Sequence, residues 1–134
     1  MGRYLVVANQ TLGGHQLIQA ARERILHEPS EFWVLVPETK SARGDLRPGT
    51  DAASLAQQRL DMELQRLHEA GAEADGEVGD PDPFKAISNT LANKKFDEII
   101  LSTLPRGRSR WLRQDLPGKV EKKFGIPVTH IISG

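Results

Sequence analysis

Tyr4-Leu5-Val6-Val7-Ala8, running on into Asn9-Gln10-Thr11-Leu12-Gly13-Gly14, is the stretch on which the fold turns. Its first five residues form a compact apolar run, aromatic and β-branched, with no polar alternation, as a strand covered on both faces requires. The next six are polar, small or turn-forming, the chemistry of a strand giving way to a helix. Phe32 to Val36 repeats the first pattern, so two central strands are predicted. Between them Leu17, Ala21 and Ile25 recur every four residues, with Ile18 and Leu26 beside them and Arg22, Glu23 and Arg24 turned outward. That spacing describes an amphipathic helix.

Outward from this unit the alternation continues. Glu38 to Thr50 is polar and holds Gly44, Pro48 and Gly49, which predicts a loop. Thr50 or Asp51 then caps a second helix with a buried stripe of Ala53, Ala56, Leu60, Leu64 and Leu67, ended by Gly71. Ala72 to Val78 is mostly polar and is assigned as an edge strand. Asp82 supplies a capping oxygen and Pro83 fits the first helical position, starting a third helix through about Lys94 with Phe84, Ile87 and Leu91 on its apolar face. Glu98 to Ser102 and Pro127 to Ile132 are the last two strands. Between them Asp115 is a candidate cap for a helix from Pro117 to Phe124, stopped by Gly125. Five strands with a helix between each pair imply a parallel sheet and an α/β fold, because antiparallel hairpins need no intervening helix. At 134 residues the chain is one domain, residues 1–134.

Composition narrows the function. Eighteen basic residues balance eighteen acidic ones, so no global field recruits nucleic acid or an anionic membrane. No cysteine is present, which removes disulfides and thiolate metal sites and suits a reducing compartment. The opening apolar run is too short for a signal-peptide core, and none approaches the roughly 20 residues of a membrane span. A soluble, cytoplasmic protein is expected.

In such a sheet the binding crevice lies beyond the carboxyl ends of the strands, where strand order reverses. Two segments are therefore the candidates. Asn9, Gln10 and Thr11 follow the first strand, and Gly13-Gly14 either lets backbone amides approach an anion or simply makes a tight turn. Ser102-Thr103-Leu104-Pro105-Arg106 follows the fourth strand and opens a basic segment containing Arg106, Arg108, Arg110, Arg113, Lys119, Lys122 and Lys123. Those cations either neutralise phosphate or form a solvated face, and Trp111 either packs in the core or stacks as a lid. Gly118 and Lys119 sit at a helix N-terminus, a setting that favours bound phosphate. His15, near the first turn of the first helix, is a weaker phosphate candidate. Neither a dinucleotide fingerprint nor a P-loop is present, and Ser102 and Thr103 have no evident base beside them in sequence, so no catalytic machinery is identified.

The polar end of the first strand, Gly79-Asp80-Pro81, Asp97-Glu98-Ile99-Ile100-Leu101 with hydroxyl residues after it, and the closing Gly125-Ile126-Pro127-Val128 together resemble the universal stress protein family over nearly the whole chain. The resemblance implies a three-layer α/β/α, Rossmann-like domain with strand order 3-2-1-4-5. It also implies a homodimer through the last strand, a role in stress response, and ATP or AMP in the crevice. By position, Ala8, Asn9 and Val36 resemble the family's adenine and ribose contacts, and Ser102, Thr103, Gly118, Lys119 and Val120 its ribose and phosphate contacts. The chain departs from the family's glycine pattern: Ser102 and Pro105 replace the first two glycines, twelve residues separate Pro105 from Gly118, and Lys119 replaces a hydroxyl residue. Asn9 stands where the family usually has aspartate. Three functions follow: a nucleotide-binding regulatory domain, a ligand-free dimerising module of the same fold, and a weak nucleotide phosphohydrolase.

Overall fold

The computed structural model describes residues 2–8, 14–38, 52–103, 111 and 115–132. Its elements are β1 (Gly2–Ala8), α1 (Gly14–His27), β2 (Ser30–Pro37), α2 (Ala52–Glu69), β3 (Glu73–Gly79), α3 (Pro83–Asn93), β4 (Glu98–Thr103), α4 (Leu116–Phe124) and β5 (Val128–Ile132). All strand pairs are parallel, and the sheet runs β3-β2-β1-β4-β5. The predicted alternation and strand order are therefore both realised, with β3 at an edge as its polar composition requires.

The period-2 geometry of the strands divides the core in two. Tyr4, Val6, Phe32, Val34, Val36 and Ile100 point to one face, where Leu17 and Ala21 of α1 and Ala56, Leu60 and Leu67 of α2 cover them. Leu5, Val7, Leu35, Ile99 and Leu101 point to the other, under Ala86 and Ile87 of α3 and Leu116 and Val120 of α4. Val6 sits between Val34 and Ile100 at the centre of the sheet, and each is fully buried. Burying one such side chain contributes roughly 1.5–3 kcal/mol, which explains why these runs contain no polar residue.

Local signals place the helix ends. Asp82 accepts hydrogen bonds from the backbone N–H groups of Phe84 (3.0 Å) and Lys85 (3.4 Å), and Pro83 occupies the first turn of α3. Such a cap stabilises by about 1 kcal/mol. Gly125 (φ 66°) and Gly71 (φ 88°) take left-handed conformations after α4 and α2, which a side chain would strain. Asp115 departs from expectation. It also lies in the left-handed region, at φ 52°, and its side chain makes no capping hydrogen bond. The expected capping of α2 by Thr50 or Asp51, the 39–50 loop and the Ala53 side chain lie outside the described residues.

Two further residues depart from the sequence reading. Leu26, expected beside the buried stripe of α1, is 85% exposed. Arg24, expected to face solvent, turns inward: it donates to both Glu98 carboxylate oxygens (3.0 and 2.6 Å) and lies over the Tyr4 ring. Thr129 donates to the same Glu98 carboxylate, so one group ties α1 to β4 and β5. Burial alone would raise the Glu98 carboxyl, but the Arg24 and Thr129 hydrogen bonds and the Arg24 charge hold it below its ordinary value. The same hydrogen bond raises the Arg24 guanidinium above its own. Finally, Glu63 interrupts the apolar stripe of α2 and is only 1% exposed.

Candidate functional site

Strand order reverses between β1 and β4, so these strands flank the crevice position. The two are neighbours to their carboxyl ends, where Ala8 pairs with Ser102. On the other side of β1, Val7 pairs with Leu35, which brings Val36 level with Ala8. The chain thus brings together Ala8, Val36, Ser102 and Thr103 at one edge, and α1 starts beyond it at Gly14. Asn9, Gln10, Thr11 and Arg106 lie outside the described residues, as do Arg108, Arg110, Arg113 and the His15 side chain.

The described candidates are enclosed. Ala8 is 2% exposed, Val36 1%, and Ser102 and Thr103 0%. Val36 is packed in the core beneath α1 and α2 and Val120 in the core beneath α3 and α4, so these two side chains serve the core. Trp111 joins the second cluster with Leu5, Val7, Leu101 and Val120 and is 4% exposed, which makes it a core residue and not a stacking lid.

At the start of α4 the electrostatics differ from the sequence expectation. A Cβ built on Gly118 would stand 2.6 Å from one carboxylate oxygen of Asp115 and 2.8 Å from the other. A negative group therefore lies over the position where helix geometry favours a phosphate. The Lys119 side chain, meanwhile, lines a separate depression of about 620 Å³ with Phe84, Leu116, Lys122 and Lys123, between the start of α3 and α4. A second depression of about 340 Å³ lies at the opposite, amino-terminal end of the sheet, where Lys94 sits 4.1 Å above the Trp33 ring. Neither coincides with the Ala8–Ser102 edge. Among the described residues no cluster of three or more metal-ligating side chains occurs.

One site residue escaped the sequence reading. Thr103 Oγ1 lies 2.7 Å from Nε2 of His130, and the two share a hydrogen bond across β4 and β5. The residues are 27 positions apart, so composition around Thr103 shows nothing. The signal that finds them is register: Leu101 pairs with His130, which sets Thr103 and His130 on one face of adjacent strands.

No protein-family model and no curated protein matches the sequence. Solved structures do match. The AMP-bound universal stress protein of Arabidopsis thaliana superposes with a TM-score of 0.72 at 12% identity, over 100% of this chain and 93% of that one. The universal stress protein of Archaeoglobus fulgidus gives 0.65 at 14%, over 98% and 93%. A universal stress protein in complex with cAMP gives 0.56 at 16%, over 96% of each chain. Over its whole length, and with the same order of parallel strands, this chain has the universal stress protein fold.

Proposed function

We propose that the domain is a regulatory module that holds an adenine nucleotide at the carboxyl ends of β1 and β4. The observation that carries this reading is the pairing of Ala8 with Ser102 at the reversal of strand order, in a fold whose neighbours were crystallised with AMP and cAMP. Ala8, Asn9, Gln10, Thr11 and the main chain of Val36 would serve the base and ribose. Ser102, Thr103, Arg106 and the main chain of Gly118, Lys119 and Val120 would serve the ribose and phosphate. Asp115 favours a ligand with little charge near α4, such as AMP or cAMP, over ATP. A cytoplasmic role in stress response belongs to the same reading. Isothermal titration with AMP, cAMP and ATP tests it: heat of binding to at least one is expected, and none at millimolar ligand overturns it.

A second reading is favoured by the enclosure of Ser102 and Thr103 and by the carboxylate over Gly118. In it the module is ligand-free and pairs with a second copy along β5, an edge strand with Ile132 44% exposed. Sedimentation without nucleotide would show a dimer under this reading. A monomer would remove it.

A further inference from the structure

Glu63 stands apart from every other charged residue described. It is 1% exposed, and neither of its carboxylate oxygens has a hydrogen-bond partner. It lies on the packing face of α2 among Ala56, Leu60 and Leu67, all buried. Helix α2 rests mainly on β3 and β2, and its contact with the sheet is close: a Cβ on Gly76 of β3 would stand 2.8 Å from Leu60 Cδ1. A carboxyl without partners at such an interface is tolerated when neutral and strongly disfavoured when charged.

The surroundings supply little compensation. The facing positions of β2 are Phe32, Val34 and Val36, and those of β3 are Ala74, Gly76 and Val78. From β1 the same face presents Tyr4, stacked on Phe32, and Val6. From α1 it presents Leu17, Ile18, Ala21 and Ile25, while Arg24 is engaged by Glu98. On α2 itself Arg59 and Arg66 lie one turn to either side, and Arg66 draws the Glu63 carboxyl down. His68 is bound to the Ala74 carbonyl at the end of the helix. Burial outweighs the Arg66 charge, and the Glu63 carboxyl is pushed up to about 7.

We propose that α2 is held on β2 and β3 by a proton on Glu63, so that ionisation of this carboxyl releases the helix and uncovers the Phe32, Val34 and Val36 side of the sheet. Once the helix is released, water solvates the carboxylate, and the undocked state gains what the docked state cannot provide. This makes α2 a pH-dependent cover of that face of the sheet.

Amide hydrogen exchange on the full chain at pH 5.5 and pH 8, corrected for intrinsic rates, tests the proposal. The α2 amides are expected to exchange through an opening of lower free energy than the amides of β1 and β4. Its population should rise about 25-fold between the two pH values, from a carboxyl moving between 4.5 and about 7. Glu63→Gln and, should that variant fold poorly, Glu63→Leu should abolish the rise, while His68→Gln should keep it. Equal protection of α2 and the central strands at both pH values would overturn the proposal. So would a rise that survives in the Glu63 variants or disappears in His68→Gln.

Discussion

Thr103 Oγ1 and His130 Nε2 meet at 2.7 Å at the carboxyl ends of adjacent strands, with Thr103 wholly buried. The contact couples β5 to the edge at which Ala8 and Ser102 pair. A double-mutant cycle of Thr103→Val and His130→Phe, followed by urea unfolding, should return a coupling of about 0.5–1.5 kcal/mol. Strict additivity would mean that the contact contributes nothing.

At the start of α4, Asp115→Asn should strengthen AMP binding about three- to tenfold. Asparagine tolerates the left-handed backbone at this position and removes the negative charge lying over Gly118. An unchanged or weaker affinity by titration would show that the phosphate does not approach α4.

Two carboxyls impose opposite pH slopes on stability. Glu98 is held below its ordinary value, so its contribution is present above about pH 4.5 and is lost as pH falls through its lowered value. Glu63 is raised from 4.5 to about 7, so the folded state binds a proton that the unfolded chain has lost. Its contribution is full below 4.5 and disappears as pH rises to about 7. Urea unfolding should show a fall of about 2–3 kcal/mol between pH 5 and pH 8, since each unit of pKa shift corresponds to about 1.4 kcal/mol. In Glu63→Gln that fall should vanish.

Gly76→Ala should be costly for a strand residue near a sheet edge, by about 2–4 kcal/mol. The added Cβ would clash with the Val34 carbonyl oxygen, a backbone atom, as well as with Leu60. A change below about 1 kcal/mol in urea unfolding would show that β3 can move away without loss.

The layers were legible from local sequence alone. Tyr4 to Ala8, Phe32 to Val36 and Ile99 to Leu101 are apolar at every position because strands buried on both faces exclude polar side chains, and that signal is local. Asp82, Pro83 and Gly125 were equally legible, since capping and left-handed turns are short-range chemistry. The candidate edge at Ala8 and Ser102 was legible through the same logic, once parallel strands were inferred. The remaining features depend on which faces meet. Arg24 turns inward to the Glu98 carboxylate, 74 residues away, while Leu26 lies on the side of α1 opposite Leu17 and is exposed. Helical spacing sets Glu63 on the face of α2 that carries Ala56, Leu60 and Leu67, but only the packing of that face on β2 and β3 leaves its carboxylate without a partner. Thr103 finds His130 through strand register, and Asp115 lies over Gly118 through a left-handed turn. Each of these relations joins groups that local periodicity treats as independent, and only the packing of one element on another sets their distance.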